Sequence, residues 1–308
     1  MMIEKIDFSS WNEYDGFAEG SGRSEKLWLQ SDNGKIGLFK FPKIDPVSQK
    51  ETTEHVSEHL AYKIGLILNV PTAKVDIGSY QGRIGSMSYF VCKEREFLKE
   101  GIWFISAEYP KYSIEKMRDE DDGKYYCLDH ILNAVPLKSN RMWIEMMLFD
   151  FIIGNSDRHQ SNWALLIKVE GEKEFSFTIK RCPLYDNGSS LCCFIKEEDI
   201  PSFLGKDKNR FNSLVDSKSK SLIRIDGLNK SIPTHKEVIN YLLEKYSVTR
   251  EIAKDFLERL TEETIDTLLD EYTDDILSNS KKELIGQFLK RKIEILNDLL
   301  KEAESNEM

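Results

Sequence analysis

Three polar side chains define the chemistry open to this chain. Asp157 and Asn162 stand five positions apart in Gly154-Asn155-Ser156-Asp157-Arg158-His159-Gln160-Ser161-Asn162, and Asp186 follows about twenty residues on in Leu184-Tyr185-Asp186-Asn187-Gly188. A carboxylate followed at this spacing by an amide suits phosphoryl transfer: the carboxylate orients an attacking hydroxyl, and the amide oxygen helps hold magnesium on nucleotide phosphates. A second carboxylate on a turn after an apolar strand then reads as the main metal ligand. Taken singly, each segment is as readily an Asx turn satisfying local backbone groups. Their pairing at this separation favours the chemistry.

The surrounding pattern supplies elements to position them. The apolar run Trp143 to Ile153 reads as a helix and Trp163 to Val169 as a strand, so the first loop is gripped between buried elements. Arg158 beside it reads as a phosphate contact or a salt bridge. Upstream, Lys35 to Pro42 alternates, with Leu38, Lys40 and Pro42 on one face and Phe39 and Phe41 on the other. Glu51 to Leu68 reads as a helix with Val56, Leu60, Ile64 and Ile67 on its apolar side and His55, His59, Tyr62 and Lys63 along the other, the histidines partly exposed. Two strands follow, Ala73 to Gly78 and Ser86 to Cys92. Backbone groups near Phe90 to Lys93, Cys92 among them, are candidates to meet an adenine ring, unless the two strands are simply a core β-hairpin with no ligand. Asp15 to Ser24 carries Gly16, Gly20 and Gly22 with Ser21 and Ser24, a loop whose N–H groups can curl around phosphate or merely form a flexible turn. The charge run Arg118 to Gly123 reads as a solvated loop or helix end rather than a metal site. Residues 188–230 form a polar tract, suited to substrate docking or to a plain surface loop. Helices are expected at Lys236–Tyr246, Arg250–Leu260, Glu262–Tyr272 and Lys281–Ala303, the last with a capping box of Ser280 and Glu283.

Composition narrows the classes. The net charge of −10 over 308 residues argues against a life on nucleic-acid backbones or anionic lipid. Five cysteines without a CxxC pair suggest a reduced, cytoplasmic protein, with export by a dedicated machine still open. No signal peptide or eighteen-residue apolar run is visible. One competing motif remains: His55-Val56-Ser57-Glu58-His59 fits the HxxEH of a zinc metallopeptidase, although no third ligand is evident downstream.

Asn155-x-Asp157-Arg158-His159-x-x-Asn162-Trp163 followed by Tyr185-Asp186 resembles the HipA-like serine/threonine kinases, in particular their compact stand-alone CtkA-type members. The Asp-Arg-His-x-x-Asn core is also similar to the phosphoinositide 3- and 4-kinases. The resemblance runs from about Gly16 to Asp186. It implies a bilobal α+β fold, with a sheet-rich N-lobe over residues 1–93 and a mainly helical C-lobe over residues 94–308. It further implies ATP and Mg2+, Lys40 on the phosphates with Glu58 holding it, and Asp157 as the residue that orients and deprotonates the hydroxyl. His159 is then a loop brace or a proton carrier, since imidazole titrates near neutrality. Asn162 and Asp186 are the implied metal ligands. Family members are restrained by phosphorylation in the glycine-rich loop, which makes Ser21 and Ser24 candidate sites of autophosphorylation. A toxin or effector role with a small DNA-binding antitoxin of the HipB type is the implied setting, although longer HipA proteins carry an extra N-terminal subdomain that this chain is too short to include. A lipid kinase and a nucleotide-binding pseudokinase are the alternatives.

Overall fold

Alternating burial along a five-residue strand shows how the N-terminal sheet is built. In the computed structural model, which describes residues 2–16, 25–46, 49–137, 139–171 and 176–305, the first elements are β1 (Ile6–Asp7), β2 (Asn12–Glu13), β3 (Lys26–Gln30), β4 (Ile36–Lys40), α1 (Glu54–Leu68), β5 (Val75–Tyr80) and β6 (Arg83–Tyr89). The strands form one sheet in the order β1-β5-β6-β4-β3-β2, antiparallel except for the β1–β5 pair. Phe39 packs with Phe8, Leu29, Phe41, Tyr80 and Met87 in a small core. Period-two alternation then turns Leu38 and Lys40 to the other face, where both line a cleft.

Helix α1 lies against β5 and β6 and sends Val56, Leu60, Ile64 and Leu68 into the main core. Asn69 ends it in the left-handed conformation at φ 56°, its N–H reaching back to the Gly65 and Leu66 carbonyls. The two histidines expected to be partly exposed are buried instead. His59 Nδ1 lies 2.7 Å from the Tyr272 hydroxyl. The polar side of α1 faces C-terminal helices, a partner that periodicity within one segment does not reveal.

Beyond the sheet come β7 (Glu96–Glu100), α2 (Gly101–Glu108), β8 (Tyr112–Ser113), β9 (Arg118–Asp119), α3 (Leu128–Ala134), α4 (Arg141–Ile153), β10 (Ala164–Glu170) and β11 (Ser176–Arg181). The antiparallel hairpin of β10 and β11 pairs through β10 with β7, giving the order β11-β10-β7. The charge run expected as a solvated loop is a turn organised on Asp119, buried and accepting from the backbone N–H groups of Asp121 and Asp122 at 3.1 and 2.8 Å.

The remainder holds α5 (Ile200–Leu204), α6 (Asn209–Val215), α7 (His235–Lys245), α8 (Val248–Arg259), α9 (Glu262–Asp270) and α10 (Asn279–Ser305). Helix α4, buried along nearly its whole length, is the axis against which α7, α8 and α10 pack. The capping box sits elsewhere than expected. At α10 the Ser278 hydroxyl accepts from Lys281 N–H, and Ser280 donates to Glu197. The reciprocal pair is Thr234 and Glu237, which opens α7. Among the described residues no helix is long and apolar enough to cross a membrane.

This is the mixed α+β architecture expected from the sequence, sheet-rich in its N-terminal part and helical in its C-terminal part. The two parts meet where Thr72 bridges Leu184 in parallel: Ala73 N–H donates to the Leu184 carbonyl and Leu184 N–H to the Pro71 carbonyl, both at 2.8 Å. The strand entering β5 and the segment carrying Asp186 are thereby laid side by side.

Candidate active site

Helix α4 must stop abruptly for the 154–162 loop to form. Gly154 ends it at φ 66°, and an added Cβ there would lie 2.7 Å from the Phe288 ring. Asn155 then folds the chain back. Its amide donates to Asp150 Oδ1 at 3.0 Å, and its Oδ1 accepts from Asp157 N–H at 3.0 Å. Asn162 closes the loop by donating its amide to the Asp157 carbonyl at 2.8 Å. The side-chain oxygen of Asn162 is the atom of that amide suited to a cation.

Helix α2 clamps the loop from outside. Gly101 N–H donates to the Trp163 carbonyl and Ile102 N–H to the Gln160 carbonyl, both at 2.8 Å. The N-terminal N–H groups of a helix lack partners within it, and here the loop supplies them. Gly101 packs so closely on Trp163 that a Cβ would stand 2.1 Å from its ring. The Trp163 indole donates to the Tyr126 hydroxyl at 2.7 Å.

Arg158, read from the sequence as a phosphate contact or a salt bridge, is fully buried. Its Nε and Nη2 meet the two carboxylate oxygens of Asp150 at 3.0 and 2.8 Å. Nη1 donates to the carbonyls of Asn162 at 2.6 Å and Tyr185 at 2.9 Å, and Nη2 also to Asn187 Oδ1 at 2.6 Å. One guanidinium therefore joins the end of α4, the 154–162 loop and the 184–188 segment. Asp150 was missed as a functional position. Its only mark in the sequence is a carboxylate inside the apolar run Met146 to Ile153, which needs a buried partner to be tolerated.

Asp186 has φ 56°, a left-handed position at the turn after β11. Its Oδ1 lies 2.9 Å from Lys40 Nζ, which also reaches Glu58 Oε1 at 2.8 Å. Burial opposes the Lys40 ammonium, but the Asp186 and Glu58 carboxylates outweigh it and hold the amine above the ordinary lysine range. Lys40 in turn draws the Asp186 carboxyl down to about 2. Asp157 shifts oppositely, because burial raises its carboxyl above the usual range despite His159 nearby.

Lys40, Glu58, Asp157, His159, Asn162 and Asp186 line one cleft of about 1400 Å³, which Phe90 and Cys92 line as well. Val91, Leu98 and Tyr185 line the cleft beside them and pack on the buried Ala164, Leu166 and Cys182, an apolar wall suited to a flat ring. The Phe90 N–H donates to the Ile36 carbonyl at 3.0 Å and the Lys93 N–H to Glu96 Oε2 at 3.0 Å, so the Val91–Cys92 peptide is the stretch best placed to meet a base edge. His159 holds the loop together: its Nδ1 accepts from Ser161 N–H at 3.2 Å and its backbone N–H donates to the Asp157 carbonyl at 2.9 Å. Gly16 sits in an exposed turn and does not line the cleft. Gly20, Ser21, Gly22 and Ser24 lie outside the described residues. The HxxEH pattern does not build a metal site, since Glu58 is paired with Lys40 and His59 with Tyr272.

No protein-family model matches the chain. In sequence it is 27% identical over 211 residues to the serine/threonine-protein kinase CtkA of Helicobacter pylori strain J99, an alignment covering 63% of this chain and 58% of that relative. In fold it is similar to the crystal structure of the H. pylori proinflammatory kinase CtkA, with a TM-score of 0.76, 18% identity, and 96% of this chain and 99% of that one covered. It also matches the Shewanella oneidensis HipA of a toxin–antitoxin complex with HipB and operator DNA, at a TM-score of 0.58 and 12% identity, over 97% of this chain and 69% of that one. The chain thus has the HipA-like kinase fold of the CtkA type.

Proposed function

We propose that this chain is an ATP-dependent serine/threonine protein kinase. The observation that carries the reading is the single cleft in which the Lys40–Glu58–Asp186 ion-pair chain faces Asp157 and Asn162. In the reaction a substrate hydroxyl oxygen bonds to the γ-phosphorus of ATP, the bond from that phosphorus to the β–γ bridging oxygen breaks, and ADP leaves with the electron pair. Asp157 orients the hydroxyl and takes its proton; a carboxyl raised above its usual range is a better acceptor at that moment. Lys40 neutralises phosphate charge, and Glu58 holds it in place. His159 keeps the loop in shape. The Val91–Cys92 backbone, with Phe90 alongside, takes the adenine edge.

The donor set fits magnesium. Asp186 and Asn162 present hard oxygen ligands beside the phosphate-facing lysine, and magnesium commonly takes one or two protein ligands and fills the remaining positions with phosphate and water. When bound, the ion would neutralise charge on the transferring phosphoryl group. Of the glycine-rich stretch, Gly20, Ser21, Gly22 and Ser24 are assigned to cover the phosphates in this reading, and Ser21 and Ser24 to be the sites of self-modification. Residues 1–93 and 94–308 act as the two lobes. The HipA of S. oneidensis is assembled with HipB on DNA, which makes a HipB-type antitoxin a reasonable partner to seek. An acidic chain with five free cysteines suits the cytosol.

The test is intact-mass measurement after incubation with ATP and magnesium, wild type beside Asp186→Asn. A gain of about 80 Da per phosphate in the wild type alone supports the reading. Transfer to phosphoinositide vesicles with none to protein substrates would replace it with a lipid kinase.

A further inference from the structure

Behind the catalytic loop, on the side away from the cleft, three polar side chains that the proposed reaction does not use lie buried in a row. Lys292 of α10 donates from Nζ to Ser219 Oγ at 2.8 Å, and Ser219 Oγ lies 2.9 Å from Nδ1 of His235, the first residue of α7. All three are buried. The Lys292 ammonium sits over the rings of Phe151 and Phe288, 4.5 and 5.3 Å from their centroids. Among the described residues no carboxylate lies within ion-pair distance of it. The other ring nitrogen of His235, Nε2, is buried without a hydrogen-bond partner of normal geometry, and the backbones of Asn155 and Ser219 are both close enough to act on the imidazole.

Proton counting gives the row a direction. An ammonium has donors only, so Ser219 accepts from Lys292, and its own proton is then free to go to His235 Nδ1. With that direction His235 is a neutral ring carrying its proton on Nε2, the nitrogen left to Asn155. Asn155 in turn links Asp150 to Asp157 N–H. We propose that Lys292, Ser219 and His235 are positioning residues, a relay that fixes the His235 tautomer and thereby braces Asn155 and the loop that carries Asp157. The role in transfer rests on the kinase reading; the tautomer does not.

The charge on Lys292 is the input. Burial, only partly offset by Asp216 and Cys192, pushes its amine down to about 7, while burial and the Lys292 charge keep His235 neutral. A neutral amine can also accept, which frees Ser219 to turn toward it and lets His235 move its proton to Nδ1.

The experiment is nitrogen NMR of the imidazoles in ¹⁵N-histidine-labelled full-length protein, with His235→Gln assigning the signal among the five histidines. Wild type near pH 6 is expected to show the Nε2–H tautomer at His235. Ser219→Ala and Lys292→Met, checked by thermal melting, are expected to mix the tautomers, as does raising the pH of wild type to 8. In kinase assays both variants should lose about tenfold in kcat with the KM for ATP within about twofold, since the relay touches the loop and not the nucleotide. His235→Gln, whose amide can donate from the Nε2 position, should retain more activity than His235→Ala. An Nδ1–H tautomer in wild type, or the same tautomer in both relay variants, overturns the relay whether or not the protein transfers phosphate. Unchanged kcat in both variants overturns its role in transfer. Absent transfer in wild type with the expected tautomers removes the kinase reading and leaves the relay standing.

Discussion

Arg158 and Asp150 meet through two parallel hydrogen bonds of 2.8 and 3.0 Å in a setting that leaves them 1% and 3% exposed. Removing one partner of such a pair strands the other charge in the interior. Asp150→Asn is therefore expected to destabilise the fold by about 3–5 kcal/mol, read from a chemical denaturation midpoint. Arg158→Lys should also be costly, because one ammonium cannot reach Asp150, Asn187 and two carbonyls together. A loss below about 1 kcal/mol in both would show that the guanidinium is not what joins the two loops.

Lys40 has two carboxylate partners, and they call for a coupled experiment. Lys40→Met should lower phosphoryl transfer at least a hundredfold, the order expected when a preorganised charge is lost from a transition state. It also leaves Glu58, buried beneath the cleft, without its cation. Adding Glu58→Gln should recover part of any lost stability without recovering activity. Restored transfer in the double variant would place the phosphate contact elsewhere.

Asp157 and Asp186 should respond oppositely to charge removal. The folded carboxyl of Asp157 lies above its unfolded value because of burial, so its ionised form costs stability, a cost that grows as pH rises through the folded value. Asp157→Asn should therefore abolish transfer with a melting temperature equal to or above that of wild type at pH 7. Asp186, drawn down by Lys40, contributes stability that is present above the unfolded value of 3.8 and lost as pH falls toward about 2. Asp186→Asn should flatten stability against pH in that acid window. A lower melting temperature for Asp157→Asn at pH 7 would contradict the assignment of its shift to burial.

Gly154 should resist substitution. Alanine there must adopt φ near 66° and place its methyl against the Phe288 ring. A destabilisation of about 1–3 kcal/mol is expected, larger than for Gly34→Ala, whose φ of 81° is equally left-handed but whose surroundings are open. Equal losses at the two positions would mean that backbone strain alone governs both.

The residues that the fold gathers in one cleft were legible by their types and spacings. Asp157, Asn162 and Asp186 could be chosen from one loop and one turn, whereas Lys40 was chosen through the resemblance to the HipA-like kinases, its alternating strand alone leaving it an ordinary edge lysine. The overall α+β arrangement followed from segments whose periods are clear, as in α4 and α10. What lay hidden depends on partners distant in the chain. Asp150 and Arg158 each look ordinary until α4, the loop and the 184–188 segment converge. His55 and His59 sit on the side of α1 that reads as polar, yet both are buried, His59 against Tyr272 near the C-terminal helices. The N-terminus of α10 was misplaced by two residues because Ser278 and Ser280 offer equivalent hydroxyls, and it is Glu197, on another segment, that engages Ser280. In the 188–230 tract, Ser219 and Ser221 read as surface serines until burial shows otherwise.

The hairpin of β10 and β11 has a consequence for recognising distant relatives. Asn162 stands two residues before its first strand and Asp186 five residues after its second, so the distance between them in space is measured at the open end of the ladder. Removing one residue from each strand would keep Leu165 opposite Arg181 and leave both side chains where they are; removing one from a single strand would turn every following side chain to the wrong face. The twenty-four positions separating them here are therefore a ruler that evolution can lengthen or shorten in even steps. A search for such proteins should count outward from the ladder's base, not along the chain.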